Sequence, residues 1–332
     1  MINNKKSMVS IIIPVYNAEK YIANCYHSLK IQSYKNLELV FVDDCSTDRS
    51  YEILNQISIN DSRVVLLKMP KNSGVSAARN LGLDKCKGDL IGFCDADDTY
   101  EENMVLNMVS IMVKENADIS CCALKRVNVN GVTKEVIWQA PKGLVLSSEE
   151  ALKNWLIGRY IGNSIYTKIS KRELWNQVRF PEGEIFEEAY VIPQIFCKAP
   201  KIVHTGTIEY NYFIREGSYT QSVLDESCLA VYRREKYIQK LILEKHPSLR
   251  DAYDCFVVRM NTANMRKALL CAKDVDNILM EEVKKQYCSS KKNALTNQYL
   301  SKKEKMEQIL VILLLEVVKH KLKMSVKRVL RR

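Results

Sequence analysis

The chain has 332 residues, 47% of them hydrophobic, and a net charge of +11. That is enough apolar material for one large domain with an appendage, or for two ordinary domains, and it excludes a disordered chain. The eleven cysteines include no CxxC pair, which argues against a zinc ribbon or a disulfide framework. Their odd number, and an N-terminus (MINNKKSM) without a signal-peptide pattern, point to a reducing cytosol and buried free thiols.

The first half alternates strand and helix signals. Val9 to Val15 (VSIIIPV) is a continuous apolar run, as expected of a strand buried on both faces. Asn17 is a candidate cap for a helix whose apolar positions are Tyr21, Ile22, Cys25 and Leu29. Leu37 to Val42 (LELVFV) repeats the strand signal and ends at Asp43 and Asp44. Ser46 or Thr47 can cap the helix that carries Tyr51, Ile53, Leu54 and Ile57. Arg63 to Lys68 reads as a third strand. Asn72, Ser73 and Gly74 turn into the small-residue helix VSAARNLGL, and Leu90 to Cys94 forms a fourth strand that runs into three acids, Asp95, Asp97 and Asp98.

Such alternation predicts right-handed crossovers and a mainly parallel sheet covered on both faces. Ligands of such sheets bind beyond the carboxyl ends of the strands. Tyr16, Asp43, Asp44, Asn72 and the DADD acids all follow strands, so they are expected to share one crevice.

Beyond residue 100 the pattern changes. Glu101 to Glu115 reads as a helix, and Ile119 to Ile137 as two strands joined at Asn130-Gly131. Ser147 or Ser148 opens a helix ending at Leu156. Ser164 to Ile169 is strand-like, Glu187 to Lys198 helical, and Lys201 to Thr207 and Tyr210 to Ile214 extended. From Leu224 onward the composition is that of helices.

Three acids in a loop suit Mg²⁺ or Mn²⁺, which prefer hard oxygen ligands and would relieve the mutual repulsion. The same acids also suit a helix N-terminus, with Asp98 or Thr99 as the cap. The VDDCSTD loop is either a base-recognising strand end or an ordinary capping loop. NSGVSAARN either projects Arg79 into the crevice or simply packs a helix tightly. No glycine-rich dinucleotide or triphosphate cradle is present.

Taken together, SIIIPVYN, VDDCSTD, NSGVSAARNLG and CDADD resemble the donor half of family 2 glycosyltransferases of the GT-A fold, over about residues 8 to 220. The resemblance implies an α/β, Rossmann-like sheet flanked by helices, with a helical C-terminal extension. It implies a GT-A domain over 1–222 (nucleotide half 8–100, acceptor half 101–222) and a helical region over 223–332.

It also assigns roles. Pro14, Tyr16 and Asn17 would lie beside the base, Asp44 would pair with it, and Arg79 would touch its far edge. Asn72 and Ala96 would line the donor pocket. Asp95 would serve the ribose or a bridging water, and Asp97 would bind a divalent metal, Mn²⁺ or Mg²⁺, on the diphosphate. The family usually has Glu-Asp where this chain has Glu187-Glu188, with the aspartate as general base. Glu188 is therefore the expected base and Glu187 its support, although a pair of acids in a helix's first turn is also an ordinary structural feature. Arg215 and Ser218, in YNYFIREGSYT, would close over the pyrophosphate. Cys45 stands where relatives commonly have glycine, a strain if the turn needs positive φ. His204 is expected to be a structural strand-end histidine.

The implied reaction is inverting transfer from a nucleotide sugar, a UDP-sugar by expectation, to a glycan or lipid-linked glycan acceptor in surface-polysaccharide assembly. The rivals are a sugar-phosphate nucleotidyltransferase and a non-catalytic scaffold that keeps the fold. Residues 301–332 hold ten basic and three acidic residues, a net +7. The stripe Val311, Leu315, Val318, Leu322, Val326 and Val329, flanked by these charges, suits either an interfacial helix on an anionic membrane or a helix packed on the domain with a solvated basic face. A cytoplasmic protein, peripheral on the inner face of the membrane, is the implied location. Without interleaved aromatics the basic run does not suggest nucleic acid.

Overall fold

The computed structural model describes residues 7–128, 131–214, 227–270, 277–290 and 294–313. The chain divides into two compact units, Met1–Tyr219 and Thr220–Arg332.

The first unit begins with β1 (Val9–Val15), α1 (Ile22–Lys30), β2 (Leu37–Asp43), α2 (Ser50–Asn60), β3 (Val64–Lys68), α3 (Val75–Lys85) and β4 (Leu90–Phe93). These four strands pair in parallel in the order β3-β2-β1-β4. β1, β2 and β4 are almost wholly buried, as their unbroken apolar runs require. The chain winds from β1 outward to β3 and then returns to the other side of β1, so the order reverses between β1 and β4. A crevice opens there beyond the strand ends, the usual ligand position in such sheets.

Pro14 is tolerated within β1 because β4 pairs with this strand only as far as Ile12, leaving no ladder bond for the missing N–H to supply. Gly82 allows α3 to lie close on β1, since a Cβ there would overlap the Ile12 side chain.

The second half comprises β5 (Thr99–Tyr100), α4 (Met104–Glu115), β6 (Ile119–Val127), β7 (Thr133–Ile137), β8 (Leu144–Ser147), α5 (Ser148–Leu156), β9 (Lys168–Lys171), α6 (Glu188–Lys198) and β10 (Lys201–Phe213). The sheet continues as β4-β9-β6-β10-β5. Here β6 and β10 are parallel, whereas β9 is antiparallel to both its neighbours. Ser147 caps α5 in a capping box with Glu150.

Several local expectations are corrected. Asn17 does not cap α1: it sits at φ 49°, and Tyr21 precedes the helix. Neither Ser46 nor Thr47 caps α2, which begins at Ser50, where the Asp48 carboxylate accepts the Ser50 N–H at 2.9 Å. Ile165–Thr167 is a 3₁₀ turn, and the strand starts only at Lys168. Asn130 of the β6–β7 turn lies outside the described residues. Most of the described cysteines are buried and none is disulfide-bonded.

The second unit contains α7 (Ser227–Leu243), α8 (Arg250–Leu270), α9 (Asn277–Ser290) and helical residues 302–313. Met265, Ala268, Leu279, Val283, Tyr287 and Val311 form its buried cluster. Val311, the first residue of the basic stripe, therefore faces a core; the other stripe positions lie outside the described residues. No helix among the described residues is long and apolar enough to cross a membrane.

Candidate active site

Two loops beyond β1 and β2 form the floor of the crevice. Asn17 accepts the Thr47 N–H at 2.8 Å and donates its own N–H to the Ser46 hydroxyl at 3.1 Å. Ala18 donates to Ser50 at 2.7 Å, and Glu19 to Asp48 at 3.0 Å. This lacing is possible because Asn17 and Cys45 both adopt left-handed backbone, Cys45 at φ 59°. Asn is at ease there, whereas Cys is strained, as expected of a residue in a glycine position. Tyr16, 49% exposed, stands at the edge with its ring available for stacking.

Asp44 is buried, and both its oxygens are used: Ser73 N–H donates at 2.8 Å and Gly74 N–H at 2.7 Å. It thereby fixes the start of α3, where Gly74 takes φ 88°. Its neighbour Asp43, also buried, accepts the Ser46 N–H at 3.3 Å through Oδ2, and its Oδ1 has no hydrogen-bond partner. Asp43 thus ties the VDDCSTD loop to the strand end and keeps one buried acceptor without a partner. Asn72 is exposed on the adjoining loop.

Arg79 lies on the buried face of α3, 3% exposed, with its guanidinium 5.3 Å from the centre of the Phe180 ring. Nη2 donates to Asp95 at 2.9 Å and lies 3.6 Å from Glu188, while Nη1 is hydrogen-bonded to Glu187. The resemblance put this side chain at the far edge of a base; here its charge is spent on three carboxylates. These hold the guanidinium well above its ordinary value against the burial that opposes it. One cation thereby joins the DADD loop to the start of α6.

Asp95, Asp97 and Asp98 bring one ligand atom each within 4.8 Å of one another, with Ala96 buried between them. Asp98 is not a helix cap. It is buried, accepting the Tyr210 hydroxyl at 2.8 Å and the Phe213 N–H at 2.9 Å from β10, and Asn103 precedes α4 instead. Burial, with the charges of Asp97 and Asp95, pushes the Asp98 carboxyl well above the carboxylate range, against those two donors. Tyr210 also accepts the Asp95 N–H at 3.3 Å. An all-oxygen cluster whose members disfavour one another's charge suits a divalent cation.

Glu187 is the N-cap and Glu188 the first residue of α6, at the positive end of the helix dipole. Glu188 accepts the Ile165 N–H at 3.3 Å, and its side chain is 18% exposed. Burial pushes its carboxyl up to about 8, Arg79 opposes this, and Glu187 and Asp95 add to it.

Behind the Ile165 turn lies a group that the sequence did not flag. Lys168 is fully buried, and its ammonium donates to Gly162 O at 3.0 Å, Ser164 O at 2.8 Å and Thr167 Oγ1 at 3.3 Å. Burial lowers its pKa. All three bonds end within six residues of one another, so the lysine shapes the turn that presents Ile165 to Glu188. Tyr166 of the same turn stacks on Tyr210 at 4.3 Å.

Lys168→Met is expected to leave the buried Gly162 carbonyl without its lysine donor, while Ser164 O keeps the Thr167 hydroxyl at 2.9 Å, and to cost about 2 kcal/mol of stability, measurable by urea unfolding. His204 is buried and neutral, its pKa lowered to about 4 by burial and by Lys168, and its Nδ1 accepts the Gly206 N–H at 3.0 Å. Arg215 and Ser218 lie outside the described residues.

A sheet of this order with an acidic cluster at the β4 end defines a GT-A glycosyltransferase fold. Residues 10–179 match the family model described as "Glycosyl transferase family 2", and the chain belongs to that family. It is 32% identical to a putative teichuronic acid biosynthesis glycosyltransferase, TuaG, of Bacillus subtilis, over 54% of this chain and 68% of that protein. It is 30% identical to glycosyltransferase GlyA of Streptococcus pneumoniae over 64% of this chain; the match spans only 31% of GlyA.

Among solved structures, S. aureus TarS 1-349 in complex with UDP-GlcNAc superposes with a TM-score of 0.67 at 21% identity, covering 87% of this chain and 81% of that one. The mannosyltransferase PcManGT of Pyrobaculum calidifontis, in complex with GDP-Man and Mn²⁺, gives 0.55 at 15% identity, over 92% and 85%. At these identities the likeness concerns the fold.

Proposed function

We propose that the chain transfers a sugar, with inversion, from a UDP-sugar to an acceptor hydroxyl in surface-polysaccharide assembly. The observation that carries this reading is the Arg79 bridge, which links the acids after β4 to Glu187 and Glu188 on α6. A donor site and a base site thereby share one network.

In this reading Tyr16 stacks on the base above the Pro14–Asn17 floor, and the Asp43–Asp44 strand end reads its N–H. Asp44 is the acceptor, its oxygens each keeping a lone pair beyond the bonds from Ser73 and Gly74 with which it holds the Asn72–Gly74 loop in place. Asp95 serves the ribose side. Asp97, with Asp95, would hold Mn²⁺ or Mg²⁺, which supplies electrostatic stabilisation of the departing diphosphate. Arg79 neutralises Asp95 and orients both glutamates. Glu188 takes the proton from the acceptor hydroxyl as that oxygen attacks the anomeric carbon, so no covalent enzyme intermediate is needed. Glu187 supports this geometry through Arg79.

The surface-glycan assignment draws on relatives such as TuaG, and the UDP assignment on the UDP-GlcNAc complex of TarS. A lipid-linked acceptor, reached from the cytoplasmic face with the basic C-terminal region against the membrane, fits the charge of residues 301–332. Thermal unfolding with UDP-, GDP- and dTDP-sugars in Mn²⁺ tests the donor class. Stabilisation by UDP compounds is expected, and its absence for every UDP compound would overturn the assignment.

A further inference from the structure

Helical residues 302–313 present two unlike faces. The inner face packs on the second unit's core: Gln308 and Val311 are buried, Gln308 side-chain bonded to Thr262, with its carbonyl accepting the Tyr287 hydroxyl at 3.1 Å. Both acids of these residues are engaged from α8, Glu304 by Arg259 at 2.6 Å and Glu307 by Arg266 at 3.4 Å.

The outer face carries Met306, Leu310 and Leu313, each 57% exposed, with Ile309 at 37%. Their spacing of three, four and seven places them on one stripe of a 3.6-residue helix. One turn earlier on that stripe stand Lys302 and Lys303, both exposed.

From this juxtaposition we infer that the Met306, Ile309, Leu310 and Leu313 face, led by Lys302 and Lys303, is a docking surface for an anionic lipid bilayer. Four large apolar side chains left in water on one helical face mark an interaction site. Lysines at the end of such a row can extend to headgroup phosphates while the apolar side chains enter the acyl boundary. The two acids of residues 302–313, Glu304 and Glu307, are both paired with arginines of α8, and the sequence of residues 301–332, these included, carries a net +7. The lysines at one end of the row match an anionic surface, and a second copy is the alternative occupant that the test separates. The inference deepens the membrane association proposed above, and it does not depend on the chemistry at Glu188.

The test is co-sedimentation of the full chain with vesicles of equal phosphatidylglycerol and phosphatidylcholine, against phosphatidylcholine alone. The wild-type chain is expected to prefer the anionic vesicles. Leu310→Ser with Leu313→Ser should weaken that binding at least about tenfold, with the melting temperature and UDP binding unchanged. Lys302→Gln with Lys303→Gln should weaken it most at low salt.

If the leucine pair binds like wild type, the basic C-terminal residues act alone; the tail-based reading survives and this surface does not. A wild-type chain that ignores anionic vesicles contradicts both. A wild-type dimer that the leucine pair dissociates assigns the row to a second copy and overturns the bilayer.

Discussion

Glu188→Gln is expected to lower kcat about a thousandfold while leaving the donor KM within about twofold. The amide keeps the shape of the side chain and its bond from Ile165, but it cannot accept a proton. Steady-state kinetics with any active UDP-sugar, read through UDP release, checks both parameters. The split is informative because Glu188 meets the acceptor oxygen only as it reacts, so its loss should appear in kcat.

The wild-type pH profile carries the same information. A carboxyl pushed up to about 8 is protonated below that value and acts as a base only above it. Turnover should therefore climb about tenfold per pH unit toward pH 8 and then level off. The groups acting on Glu188 are Arg79, Glu187 and Asp95, and Lys168 and Tyr166 face it from the neighbouring turn and strand. Glu188→Gln should abolish this limb. A limb that persists in the variant would assign it to another group.

Asp97→Asn should lower kcat/KM by at least about a hundredfold, with the metal concentration needed for half-maximal rate rising in parallel. Replacing one charged oxygen ligand by an amide weakens a hard-cation site without changing its size. Asp98→Asn is the informative contrast. Its two oxygens are already committed to Tyr210 and Phe213 on β10, so the change should act mainly on stability. If the two variants had equal effects on metal dependence, the division of labour within DADD would be wrong.

Much of this site could be anticipated from local sequence, and the reason is physical. β1, β2 and β4 are strands buried on both faces, so each announces itself as an apolar run, and the acids that follow β2 and β4 are placed by the chain itself. The capping box at Ser147 and Glu150 is likewise local. What escaped depends on contacts between distant segments. Arg79 meets Glu187 108 residues away, and nothing in VSAARNLG indicates that its arginine will turn toward α6. β5 has two residues and β8 four, too short for any periodicity. Ser164 to Ile169 looked extended because Ile165, Tyr166, Thr167 and Ile169 are β-branched or aromatic, but the Lys168 ammonium gathers the preceding oxygens at a 3₁₀ turn. Asp98 resembled a cap until β10 supplied two donors. At Asp98 tertiary pairing overrode a sound local preference.

The departure at Glu188 also reads differently in three dimensions. An extra methylene relative to the family's usual aspartate extends the carboxylate by about 1 Å, enough to spoil a positioned base. Here the longer arm is held at one oxygen, Oε1, by the Ile165 N–H at 3.3 Å and by the Arg79 guanidinium at 3.6 Å. The support passes back through the turn that Lys168 ties together.

The most direct measurement is UDP release from a UDP-sugar by the wild-type chain, first stripped with EDTA and then titrated with Mn²⁺ or Mg²⁺. Release is expected to be absent in EDTA and restored by the cation, with Asp97→Asn needing far more of it. Turnover that continues unchanged in EDTA would contradict a metal-held diphosphate at Asp97.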